Sequence, residues 1–169
     1  LYRYRAAIFG QTGIKDSIFY YLNQAEKISA LQGSFKGVFV NNVTTVEAYL
    51  EYPDSVQKAL TLALSVCPDS SRMPQWAKYE LELHLGRALL QTGKATQGIP
   101  LIEKAAQGFI SMDMRSGKQK ANNILMDYYL SMNMNDAFVR CYKRSQTFTD
   151  SLNLAEKMRA VAAANIRFD

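Results

Sequence analysis

The chemistry open to this chain is limited by its single histidine, His84. Glu80 lies four residues before it, Arg87 three after and Gln91 seven after, which puts all four on one face if the segment is helical. No carboxylate or cysteine stands at a spacing that completes a metal site or a triad with His84, so it reads as a histidine on a polar helix face. Cys67 and Cys141 lack any C-x-x-C or metal spacing, and each reads as a small buried hydrophobe. No glycine-rich phosphate loop follows a strand, and no serine occupies a nucleophile elbow. The residues therefore predict a non-enzyme with no cofactor and no metal.

The elements that would position these residues are organised around 79–107, YELELHLGRALLQTGKATQGIPLIEKAAQ. Leu81, Leu85, Ala88, Leu89 and Thr92 follow the spacing of one helical face, and Ile99, Ile102, Ala105 and Ala106 make a second stripe. Gly93, in Thr92-Gly93-Lys94, suits a left-handed C-cap between them. The two helices must then lie antiparallel, with Gly86 where they come close and Pro100 in the first turn or so of the second.

One hairpin cannot bury its own apolar faces, and the chain repeats it at about 40 residues. The turn column reads Gly13, Pro53, Gly93, Asn133, and the column four earlier Phe9, Tyr49, Leu89, Tyr129. On the second helices Leu22, Leu62, Ile102, Tyr142 form a large column and Ala25, Ser65, Ala105, Ser145 a small one. The expected architecture is all-α: hairpins over 1–33, 34–73, 74–113 and 114–149, then a C-terminal capping helix over 150–168, in one domain.

Composition agrees with a globular chain of 169 residues, 48% hydrophobic and 21% charged, with only 4 Pro and 9 Gly. The net charge of +5 is uneven: residues 1–84 carry eight basic and eight acidic side chains, 115–169 nine basic against five acidic. That excess is too dilute for a nucleic-acid footprint, and no direct nucleic-acid contact is expected. No apolar run approaches the length of a membrane span and no signal-peptide pattern is present. The opening Leu-Tyr-Arg, without Met, reads as part of a longer protein.

Taken in order, the chain predicts a helix over 2–12, a second over 15–31 capped by Asp16 or Ser17, and a break at Gln32-Gly33-Ser34. The third, 35–51, contains the β-branched run Val38 to Val46, which alone could pass for a strand; repeat register favours helix. Asp54 or Ser55 caps a fourth helix through Val66, ended by Pro68, and a loop over 68–74 precedes Trp76, read as packing. The central hairpin follows, to about Met112. A seventh helix over 115–132 buries Ala121, Leu125, Tyr128, Tyr129 and Met132. Asp136 caps the eighth, a ninth spans 154–166, and Met126, Met132 and Met134 read as gap-filling core.

These columns resemble the tetratricopeptide repeat family. Gly86 stands at the small position of the first helix, Leu89 at the tyrosine-like one, Gly93 at the turn, Gly98 at the second small position, Ile102 at the aromatic one and Ala105 at the alanine. The period departs from the family's usual 34 by about six. The resemblance implies a right-handed α-α superhelix and a protein-interaction role without catalysis. At the C-terminus, Tyr142-Lys143-Arg144 followed by Thr149-Asp150-Ser151-Leu152 and an alanine-rich charged helix is similar to the repeat region of bacterial membrane-anchored regulators with a LuxR-type or histidine-kinase output domain. That likeness implies a sensory region on the periplasmic side, with the membrane reached only through a transmembrane helix of the parent chain; a cytoplasmic place is the alternative.

Stacked hairpins line a concave groove with their first helices. Glu47, Arg87 and Asp127 form one column of that surface, Val40, Glu80 and Lys120 a second, Val43, Leu83 and Asn123 a third. The functional reading is a groove that holds a protein or peptide ligand, with Arg87 and Lys120 as carboxylate donors. The bland reading is an ion ladder of Glu47, Arg87 and Asp127. Lys120 and Asn123 match only partly the carboxylate clamp of chaperone-binding repeats. The alternative function is a structural adaptor that oligomerises, as a homodimer for example, or tethers partners.

Overall fold

The structure, a computed structural model, describes residues 15–146 and, for 69–71, the backbone alone. Its helices are α1 (Lys15–Leu31), α2 (Phe35–Leu50), α3 (Val56–Val66), α4 (Gln75–Gln91), α5 (Ala95–Ser111), α6 (Arg115–Ser131) and α7 (135–146). Short 3-10 helices at Pro53–Ser55 and Cys67–Arg72 flank α3. No strand occurs among the described residues. The expected helices over 2–12 and 154–166 lie outside them.

A repeating turn sets the spacing. Helices begin at residues 15, 35, 75, 95, 115 and 135. Of these, α1, α4, α5 and α6 each run 17 residues, and three-residue turns separate α4, α5, α6 and α7. Two such modules make one hairpin, which is the physical origin of the period near 40. Each turn carries one left-handed residue: Gly33 at φ 61°, Gly93 at 78°, Asp113 at 53° and Asn133 at 55°.

The N–H of that residue donates three residues back and the next N–H five back, as in Gly93 to Leu90 (3.1 Å) with Lys94 to Leu89 (2.8 Å), and Asp113 to Ile110 (3.1 Å) with Met114 to Phe109 (2.8 Å). The last carbonyls of each helix are thereby satisfied. Asp113 is held where an L side chain meets the following carbonyl, so Asp113→Gly is expected to raise the urea midpoint, by about 0.5–1 kcal/mol of stability at an unchanged m-value.

The run Val38 to Val46 is helical. Thr44 and Thr45 turn their hydroxyls back onto the carbonyls of Val40 and Asn41, each at 2.9 Å, and Ser34 caps the helix by accepting from the Gly37 N–H at 3.1 Å. Phe39, Val43, Val46 and Leu50 share its buried face. They join Leu60, Ala63, Leu81 and Leu85 in one core built from α2, α3 and α4.

Consecutive helices from α1 to α5 pack in turn, and α2 also packs directly on α4 although α3 separates them in sequence. Asn41, 1% exposed, donates from Nδ2 to the Leu22 carbonyl at 3.0 Å and so ties α2 to α1. Helices α4 and α5 approach closely, where a Cβ on Gly86 would lie 2.9 Å from the Gly98 carbonyl oxygen and one on Gly98 2.7 Å from that of Gly86.

The chain forms two compact units, 1–121 and 122–169. In the second, Leu125 and Cys141 are buried, the Cys141 thiol points at the Asn122 carbonyl (3.7 Å), and Phe138 stacks on Tyr142.

Several local expectations change. Asp16 and Ser17 lie inside α1, and Asp136 lies inside α7. Ser55 is at the N-cap of α3 without a side-chain cap bond, while Asp54 takes both its oxygens to Lys15 Nζ at 2.9 Å. The stretch 68–74 is largely the 3-10 helix Cys67–Arg72. Pro100 is inside α5, at its sixth residue, where it withholds an N–H from the helix ladder. Cys67, Met132 and Met134 are exposed and not core.

Candidate functional site

Helices α2, α4 and α6 bring four polar side chains together. Glu47 comes from the fourth turn of α2, Glu80 and His84 from successive turns of α4, and Lys120 from the second turn of α6. Lys120 Nζ donates to Glu47 Oε1 and stands 4.0 Å from Glu80 Oε2. His84 Nε2 faces both carboxylates, 3.5 Å from Glu80 Oε2 and 3.8 Å from Glu47 Oε2. Both distances exceed a hydrogen bond. His84 is 1% exposed, and its Nδ1 has no hydrogen-bond partner.

These groups line a cavity of about 170 Å³ whose other walls are Val40, Val43, Thr44, Trp76 and Ala77. A cavity of about 150 Å³ holds a benzene. The space therefore fits one side chain and not a folded element. Trp76 is half-buried and packs against the core while also lining the cavity.

Burial alone would push the Glu47 carboxyl up. The charge of His84, the hydrogen bond and charge of Lys120 and the charge of Arg87 outweigh it and hold Glu47 below its ordinary value of 4.5. A depressed folded-state value means stability that is present above the unfolded value and lost as pH falls through the folded one. In acid titrations followed by circular dichroism, Glu47→Gln is expected to flatten the loss of stability below about pH 4.5. Equal slopes in the two proteins would show that Glu47 gains nothing from its neighbours.

The expected groove residues do not stay together. Glu47, Glu80 and Lys120 do converge. Arg87 belongs to a different depression beside Leu50, Pro53 and Gln91: its guanidinium pairs with Glu51 at 2.7 Å and reaches the Leu50 carbonyl at 3.4 Å. Arg87 thus pairs directly with Glu51, the C-cap of α2, while its charge still acts on Glu47 one turn earlier. Leu83 is fully buried, while Asn123 and Asp127 are exposed and belong to the second unit.

His84 is the larger departure, since the histidine assigned to a polar face is among the most buried residues. Helix α4 packs against α2, α3 and α5, so that nine of its residues are buried and little of its circumference faces solvent. Among the described residues no group of His, Cys, Asp and Glu side chains could hold a metal ion, and no helix is long and apolar enough to cross a membrane. No protein-family model matches the chain, and no curated protein and no solved structure matches it either.

Proposed function

We propose that this chain is a non-catalytic scaffold of the tetratricopeptide-like kind, four hairpins and a capping helix in a right-handed superhelix, which binds a protein or peptide segment along its first helices. The observation that carries this reading is the direct packing of α2 on α4, together with Lys120 of α6 reaching carboxylates on both. First helices that touch across an intervening second helix are what translational stacking produces. The cavity between them is sized for a side chain of an extended segment.

A random-peptide phage library selected on the purified chain tests it. Trp76 is the sole tryptophan and lines the cavity, so bound peptides are expected to shift its emission. Val40→Arg fills the cavity and is expected to abolish that shift. Selected peptides that bind Val40→Arg as well as the wild type would remove the groove reading.

The C-terminal likeness extends the proposal to the sensory region of a bacterial membrane-anchored regulator, periplasmic and connected to an output domain. A parent reading frame with a transmembrane segment and such a domain after Asp169 would support it; a stop codon there would end it. The adaptor reading is favoured by exposed apolar side chains of the second unit, Leu130 (58%), Met132 (56%) and Tyr142 (46%) among them. Sedimentation showing a concentration-dependent dimer that Leu130→Glu dissolves would decide for it.

A further inference from the structure

The hydrogen bonding of the cavity selects what enters it. Two carboxylates share one ammonium, and His84 Nε2 stands beyond hydrogen-bonding distance of both. Lys120 is committed to Glu47, which leaves Glu80 as the carboxylate whose neighbouring nitrogens, His84 Nε2 at 3.5 Å and Lys120 Nζ at 4.0 Å, both stand beyond hydrogen-bonding distance. His84, 1% exposed, lines the same cavity with Nε2 toward both carboxylates, and its Nδ1 has no hydrogen-bond partner.

An aromatic wall, Trp76, and aliphatic surface from Val40 and Ala77 complete it. An anion would have to displace Glu47 to reach the Lys120 ammonium, whereas a cation finds in Glu80 a carboxylate with spare acceptor capacity and an indole beside it.

We infer that the cavity receives one lysine or arginine side chain of the bound segment, its head group on Glu80 and its stem against Val40, Ala77 and Trp76. The inference rests on the groove reading above and names the chemistry of its ligand. Lys120 then acts as an internal competitor, because its ammonium occupies the second carboxylate that a ligand cation would also use.

The selected peptides provide the test, with binding followed by Trp76 emission. They are expected to share one basic residue; acetylating that lysine, or replacing the arginine by citrulline, weakens binding at least about tenfold, the scale of one charge-assisted hydrogen bond. Glu80→Gln is expected to remove the same factor. Lys120→Gln, which frees Glu47, is expected to tighten binding. Peptides blocked by Val40→Arg but indifferent to acetylation and to Glu80→Gln would overturn the cation assignment and leave the groove intact. Weakening by Lys120→Gln, with acidic peptides selected, would overturn it in favour of an anion. An absence of peptides sensitive to Val40→Arg would overturn the groove reading and this inference together.

Discussion

Gly86→Ala is expected to lower the free energy of unfolding by about 2 kcal/mol or more, the scale of overpacking where backbone must move. In an isolated helix the same change would be favourable by about 1 kcal/mol, because alanine loses less backbone entropy than glycine. The sign therefore separates packing from propensity. The added Cβ would lie 2.6 Å from Ile102 Cγ1 and 2.9 Å from the Gly98 carbonyl oxygen. Ile102 is fully buried and has little room to turn, and the carbonyl belongs to the α5 backbone, so α4 and α5 must separate. Urea unfolding measures the change. A variant as stable as the wild type would show that the two helices can part at no cost.

That hairpin is also the part of the fold the sequence states most openly. A turn glycine, two helical stripes and a small residue at the crossing are local signals, and α4, α5 and their Thr92-Gly93-Lys94 turn follow from them. The period near 40 is legible for the same reason, since α1, α4, α5 and α6 each end in a turn with one left-handed residue. Where the turn is made differently, by the 3-10 helices at Pro53–Ser55 and Cys67–Arg72, local reading gives a cap or a loop, because proline and serine signal an interruption without fixing its geometry.

The site was legible only in part, and the reason is the offset between stacked helices. Columns one repeat apart correctly set Glu80 near Lys120, 4.0 Å in space and 40 apart in sequence. Arg87, by contrast, finds Glu51 at a separation of 36, one turn from the Glu47 that the columns gave it. A single repeat length cannot express both offsets. Thr44 and His84 stand one repeat apart and both line the cavity, so that column carried the missing signal. Its meaning depended on knowing that α4 is enclosed by its neighbours.

Enclosure gives the imidazole a testable status. His84→Ala leaves a void at a side chain 1% exposed and is expected to cost about 2–4 kcal/mol, as truncation of a large buried group does. His84→Leu fills most of that volume and removes the buried Nδ1 that has no partner, so its unfolding free energy is expected to stay within about 1 kcal/mol of the wild type. It also withdraws the first of the charges that offset burial at Glu47, so the Glu47 carboxyl is expected to rise and the acid limb to flatten as in Glu47→Gln. Stability preserved at neutral pH with an altered acid limb would mean that the fold does not require the imidazole and that its place between two carboxylates serves the cavity. A loss in His84→Leu as large as in His84→Ala would make His84 a structural element. The polarity of the cavity would then need no ligand to explain it.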